Sequence, residues 1–280
     1  MTAPSNTLQV QPLSPALGAE ITGADIRRDG DAEAVRAAFV EHQVVVVRDQ
    51  VLTPDEQIAF ACRFGPINVN RFFQAMADHP QIALVIKEPE QKKAIGERWH
   101  TDHSYDAVPA MGSLLYAVQT PPVGGDTVFA SMAAAYEALS EGFRATLHGL
   151  RAWHSSRHVF GAARAADETG RDGRIGNPGA AKQDACHALV ITHPLSGRRG
   201  LYVNPTFTLR IDGWNEDESD ALLGFLYAHC ARPEFCCRVR WAPGDLTMWD
   251  NRATWHKAIN DYDGHRREMR RITVEGVPLD

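Results

Sequence analysis

The sequence predicts a mostly β protein with flanking helices, an α+β arrangement built on a sandwich or jelly roll. Three observations predict it. Short β-rich runs crowd the chain after residue 110: "GSLLYAVQ", "TVFAS", "ALVITHP", "GLYVN", "FCCRVRW", "DLTMWD" and "RRITVEG". Turn signals such as "PPVGGD", "PLSGRRG" and "APGD" separate many of them. Close spacing of short strands and Gly/Pro turns is the pattern of all-β cores. Helical stretches are interspersed among these runs and supply the flanking layer.

Each element has a local reason. "DAEAVRAAFVEH" carries a helical pattern, and "QVVVVRD" reads as a buried strand. In "TPDEQIAFACRFG", Thr53 and Glu56 form a capping box, Pro54 suits the first turn and Gly65 ends the helix. "QIALVIK" (81–87) is a strand, and the charged "EPEQKKAIGER" (88–98) is expected to be a mobile loop that leads to His100 and can close over a substrate. Further helices are expected from Ser131 to about Ala138, from Ser140 to Leu150, and over "NEDESDALLGFLYAHCAR". Residues 161–185 hold few large apolar side chains. They read as a mobile loop that is either a lid or a tolerated surface insertion. No internal repeat is present.

Composition narrows the function classes. With 280 residues and 44% hydrophobic content, the chain can bury a sizeable core. A net charge of −6 makes nucleic acid a poor partner. No apolar run approaches the roughly 18 residues of a membrane span. The opening "MTAPSNTLQVQP" lacks the basic-then-apolar pattern of a secretory signal. Five cysteines without a CxxC spacing read as reduced thiols, so a cytoplasmic location is expected.

The chemistry centres on "WHTDHSYD" (99–106) and on His256. In an extended strand, positions i and i+2 share a face. His100 and Asp102 then point together and Thr101 points away. His256 is the candidate third ligand. Two histidines and one carboxylate leave three open positions on an octahedral ion, the facial arrangement of non-haem Fe(II) oxygenases. An HxD tripeptide alone is a weak signal. The same parity sends His103 to the opposite face, behind the site or at the surface, and Asp106 reads as a turn residue. On the last strand, Arg267, Met269 and Arg271 share one face, with Arg266, Arg270 and Ile272 on the other. A guanidinium fork suits a carboxylate. Four arginines in six positions also fit a solvated basic patch.

These stretches in this order resemble the taurine/2,4-D dioxygenase family of Fe(II)- and 2-oxoglutarate-dependent enzymes. "GAEITGADI", "HQVVVVRDQVLTPDEQIAFACRFG", "WHTD", "GGDTVFASMAAAYEALS", "THPLSGRRGLYVN", "FLYAHCARPEF" and "VRWAPGDLTMWDNRATWH" carry the resemblance over nearly the whole chain. It implies a single domain over 1–280 with a double-stranded β-helix, a form of jelly roll. It implies that His100, Asp102 and His256 ligate Fe(II). Thr127 and Arg267 would hold the far carboxylate of 2-oxoglutarate, with O2 as the other cosubstrate. Arg271 would face the acidic group of the substrate. The family reaction decarboxylates 2-oxoglutarate to succinate and CO2 while hydroxylating a C–H bond. A hydroxylated carbon bearing an oxygen or sulfur leaving group then collapses, with C–O or C–S cleavage. Homo-oligomers, dimers or tetramers, are expected by analogy.

The substrate side departs from the taurine enzymes. The family's sulfonate-binding histidine falls at Asn70, a neighbouring tyrosine at Phe73 and a sulfonate-binding asparagine at Gly96. "IGERWHTD" and "HSSRHVFG" resemble the (R)-phenoxypropionate dioxygenase branch. Phe73, Tyr105, Val159, Phe160 and Phe207 are candidates for an apolar pocket, or for plain core. The expected substrate is therefore a small organic anion with an apolar body. An aryloxyalkanoate leads, and an alkyl sulfate or sulfonate follows. A zinc hydrolase with the same three ligands, or a metal-free jelly-roll binding protein, remains open at this point.

Overall fold

A computed structural model describes residues 7–162 and 173–279. Its largest sheet has nine strands. Along the sheet they run Gln9–Pro12, Ala19–Thr22, Val44–Val47, Leu246–Asp250, Gly112–Gln119, Arg267–Val274, His79–Lys87 and Ala75–Met76, with Ile67–Asn68 paired to Arg267–Val274. Ala19–Thr22 and Val44–Val47 pair in parallel, and the other pairings of this sheet are antiparallel. A three-stranded sheet faces it, in the order Cys236–Val239, Thr127–Ser131, Thr254–Ala258. The chain is thus sheet-rich with flanking helices, as its strand signals predict.

The run "VVVV" shows why these strands are so apolar. Val44 and Val46 pack between the two sheets with Phe129, Leu115, Val239 and Met269. Val45 and Val47 point the other way, onto Phe39, Val35 and Phe60 of the covering helices. A central strand buried on both faces needs an apolar residue at every position rather than at alternate ones.

Helix Asp29–His42 buries Ala32, Val35, Ala38 and Phe39, one stripe of its surface. Helix Pro54–Cys62 has the expected capping box. Thr53 Oγ1 accepts from the Glu56 N–H at 3.2 Å, and the Glu56 carboxylate accepts from the Thr53 N–H at 2.8 Å. Such caps are worth about 1 kcal/mol. Helices Met132–Glu137, Glu141–Leu147 and Glu216–Cys230 cover the outer side of the smaller sheet, around Trp255, Ala130 and Leu226.

Two departures concern irregular chain. The segment after His100 is not a strand. His100 makes an isolated antiparallel bridge with His256, and residues 102–105 turn. Of the 161–185 segment, residues 163–172 lie outside the described residues. Within 173–183, Ile175 bridges Phe73. This described portion is tied to the fold rather than standing off it. Among the described residues, no helix is long and apolar enough to cross a membrane.

Candidate active site

The site begins with the bridge. The His100 N–H donates to the His256 carbonyl at 3.1 Å, and the His256 N–H to the His100 carbonyl at 2.8 Å. This pairing sets the two imidazoles side by side, ring centres 4.1 Å apart. The Thr101 hydroxyl donates to the Asn251 carbonyl and pins the start of the turn. The chain then reverses, with His103 at a φ of 59°. Asp102 Oδ1 comes to 3.8 Å from His100 Nε2, and Asp102 Oδ2 to 3.6 Å from His256 Nε2. The ligand atoms of the three residues lie within 4.8 Å of one another. Turn geometry, not strand alternation, brings Asp102 to His100.

The donor set fits a divalent metal. His100 Nδ1 lies 2.7 Å from the Arg98 carbonyl, which only accepts. That nitrogen therefore carries the proton, and Nε2 keeps its lone pair for the ion. Burial pushes the His100 and His256 imidazoles down, so both are held in the neutral, ligating form. Burial alone would raise the Asp102 carboxyl. The Arg271 guanidinium outweighs it and holds the group well below the usual carboxylate range.

Of the two places expected for His103, the surface is excluded. It is buried beside the three ligands and sets Nδ1 2.8 Å from Asp106 Oδ2. Asp106 is more than a turn residue. Arg71 Nη2 donates to both of its oxygens, at 2.8 and 2.7 Å.

Arginines 267 and 271 are both buried, which rules out a solvated patch for them. Arg266 and Arg270, on the other face, are only partly buried. Arg271 Nη2 donates to Asp102 Oδ2 at 2.5 Å and to Ser113 Oγ at 3.0 Å. The rings of Phe73 and Trp249 flank its guanidinium at 5.7 and 5.9 Å. Arg267 lies over the Trp241 ring at 5.5 Å. Burial pushes its pKa down to about 10, against the pull of Tyr262 and Asp126. The Nε of each arginine is buried with no hydrogen-bond partner among the described residues.

One cavity of about 280 Å³ joins these groups. His100, Asp102, His256, Thr127, Arg267 and Arg271 line it, as do Asn70, Phe73, Tyr105, Val159, Phe160 and Phe207. Asn70 has its carboxamide oxygen occupied by the N–H groups of Phe72 and Phe73, at 2.9 and 2.8 Å. Its role in the loop is structural as well as lining. Phe160 stacks on Phe72 at 4.2 Å, and Tyr105 meets Phe207 edge-on at 4.9 Å.

Sequence reasoning missed Trp249, Trp241, Ser113, Ile95 and Ile175. For Trp249 a signal existed. Alternation along "DLTMWD" puts it on the same face as Thr247, opposite Leu246 and Met248. For Ile95 and Ile175 there was none, because loops carry no periodicity.

A sheet-rich fold that brings two imidazoles and a carboxylate together beside two buried arginines has the donor set of a metal-dependent oxygenase. Residues 9–273 match the taurine catabolism dioxygenase TauD, TfdA family. The α-ketoglutarate-dependent sulfate ester dioxygenase of Pseudomonas putida is 34% identical over 97% of this chain and 91% of that protein. The α-ketoglutarate-dependent 2,4-dichlorophenoxyacetate dioxygenase of Cupriavidus pinatubonensis is 34% identical over 94% and 96%. The crystal structure of a taurine dioxygenase from Burkholderia xenovorans superposes with a TM-score of 0.79 at 34% identity, covering 98% of this chain and 90% of that one. The chain belongs to the TauD/TfdA family. It is an Fe(II)- and 2-oxoglutarate-dependent dioxygenase that takes O2 as its other cosubstrate.

Proposed function

We propose that this dioxygenase hydroxylates a small organic anion with an apolar body, an aryloxyalkanoate in the first instance. His100, Asp102 and His256 hold the iron. Thr127 and Arg267 hold the far carboxylate of 2-oxoglutarate, and Arg271 receives the acidic group of the substrate. Two facing sheets closing on this site support a double-stranded β-helix, or jelly-roll, core.

The observation that carries the reading is the pair of buried arginines that line one cavity. Two buried guanidinium groups on one cavity are complementary to two anions. Separate anions also suit the geometry, because Arg267 sits on Trp241 while Arg271 sits between Phe73 and Trp249.

The bound iron supplies O2 activation coupled to the decarboxylation of 2-oxoglutarate to succinate and CO2. The protein's share is orientation and exclusion. The ionised Asp102 offers one negative charge between two neutral imidazoles. Arg271 and Ser113 brace the same carboxylate oxygen, which keeps it from swinging out of the ligand position. Phe160, Phe207, Tyr105 and Val159 present an apolar wall to the substrate's body and keep water from it. Gly96 widens the cavity at the metal side. A Cβ there would lie 3.2 Å from His100 Cε1. A side chain at this position would crowd His100. On hydroxylation of the carbon attached to the ether oxygen, the hemiacetal collapses and releases the phenol.

The test is anaerobic reconstitution with Fe(II) and 2-oxoglutarate, followed by O2, with succinate and product measured across aryloxyalkanoates, alkyl sulfates and alkyl sulfonates. Stoichiometric phenol and succinate support the reading. Succinate formation that no aryloxyalkanoate stimulates sinks it. An alkyl sulfate is the second reading, favoured by the likeness to the P. putida sulfate ester enzyme, since the same Arg271 and apolar wall suit an alkyl chain with an anionic head.

A further inference from the structure

The two residues proposed to grip 2-oxoglutarate come from different sheets. Thr127 opens a strand of the smaller sheet, and Arg267 opens the strand Arg267–Val274 of the larger one. No hydrogen bond joins the two side chains. Trp241 touches both. Its indole Nε1–H donates to Thr127 Oγ1 at 3.0 Å, and its ring lies under the Arg267 guanidinium at 5.5 Å. Trp241 is buried in the cluster between the sheets, just beyond the strand Cys236–Val239 whose last residue pairs with Thr127.

We infer that Trp241 is the positioning residue of the cosubstrate site, setting both the hydroxyl direction of Thr127 and the placement of Arg267. The hydroxyl argument follows from donor counting. An indole nitrogen only donates, so Thr127 Oγ1 accepts there. One acceptor direction of the hydroxyl is then occupied. Its proton is left to turn toward the cavity that Thr127 lines, where a carboxylate accepts it. Without the indole N–H the hydroxyl is a free rotor, and ordering it is an added cost of binding. The ring does the second half of the work. An arginine held against an aromatic face keeps its edge N–H groups available for an anion, and the quadrupole offsets part of the cost of burying the charge. This inference rests on the proposed roles of Thr127 and Arg267.

A double-mutant cycle tests it through binding rather than turnover. 2-Oxoglutarate is titrated calorimetrically into the Fe(II)-loaded protein under anaerobic conditions. Thr127→Val removes a hydrogen bond to a charged group and should weaken binding by about 10- to 100-fold. Trp241→Phe keeps a ring under Arg267 but loses the N–H, and should weaken binding by about 10-fold. In the Thr127→Val background, Trp241→Phe should add almost nothing, because the hydroxyl it orients is gone. In Thr127→Ser, which keeps the hydroxyl, the effect of Trp241→Phe should return. Affinity for the organic anion should stay unchanged throughout. Should Trp241→Phe fail to fold, benzothienylalanine at position 241 matches the indole in shape and lacks the donor. Wild-type binding by these Trp241 variants, or effects that multiply fully with Thr127→Val, overturn the inference. A Thr127→Val protein that binds 2-oxoglutarate normally overturns the clamp itself, and the inference with it.

Discussion

The cavity has two ends built by different means. At the proposed cosubstrate end, Thr127 and Arg267 stand on regular strands, and their neighbours are fixed by ladder pairing: Val239 and Ala258 beside Thr127, Lys87 beside Arg267. At the proposed substrate end, the walls are Asn70 and Phe73, Ile95 and Gly96, Val159 and Phe160, and Ile175. Apart from the single helical turn Arg157–Phe160, these belong to loops and isolated bridges. A strand fixes which face a residue takes by counting. A loop fixes it only through the particular contacts it makes. One scaffold can therefore keep a constant cosubstrate grip while the loops reshape the substrate wall.

The largest expected effect falls between the two ends. Asp102→Ala should abolish iron-dependent succinate formation whatever the substrate, because two neutral imidazoles hold Fe(II) weakly. It also leaves Arg271 buried without its carboxylate. Near-normal turnover would remove Asp102 from the ligand set.

Arg267→Ala comes next. Removing one partner of a buried charge pair costs about 3–5 kcal/mol. At about 1.4 kcal/mol per decade, the concentration of 2-oxoglutarate required should rise by at least two orders of magnitude. The rise should be the same for every organic anion. A rise that depends on the organic substrate would erase the distinction between the two ends.

Arg271 also braces Asp102, so Arg271→Ala is compared at matched iron content, where the Fe(II)–2-oxoglutarate charge-transfer absorption should be nearly unchanged. The substitution should weaken the organic anion and raise succinate formation uncoupled from product. If Arg271→Ala weakens 2-oxoglutarate while Arg267→Ala spares it, the two ends have been exchanged.

Phe160→Ala removes the ring stacked on Phe72 and lining the wall. Large-to-small aromatic changes in cores cost about 3–5 kcal/mol when fully buried. Here part of that loss should register as a higher KM for aryloxyalkanoates, with the KM for 2-oxoglutarate preserved. Parallel changes in both constants would mean that the ring supports the whole site and not the substrate wall.

The smallest effect on metal retention is expected for His103→Asn. Asn tolerates the positive φ at this position. His103 is tied to Asp106 rather than grouped with the three close donor atoms. Iron content after gel filtration should stay at the wild-type level, whereas His100→Asn should empty the site. Equal loss in the two variants would bring His103 into the ligand set.

Much of this was legible in the sequence, and the legible parts share a cause. The "VVVV" strand, the Thr53 and Glu56 cap, and the common face of Arg267, Met269 and Arg271 all follow from short-range geometry with a fixed period. Counting alone grouped Arg267 with Arg271 and Arg266 with Arg270, but did not tell which group faces inward. "HTD" shows where counting stops. Its spacing drew attention to His100 and Asp102, but the segment turns, so strand parity does not explain how the two meet.

What the sequence by itself determined was therefore the sheet-rich class, the chemical identities of the donors and the faces of the regular strands. Tertiary structure alone decided the rest. It paired His100 with His256 across a long stretch of chain. It set Trp241 between Thr127 and Arg267, and it folded Ile175 onto Phe73. Local propensity is encoded in neighbours along the chain, so it can be read there. Contacts between distant segments depend on how both sheets close and bury their apolar faces together, and no local pattern carries that information.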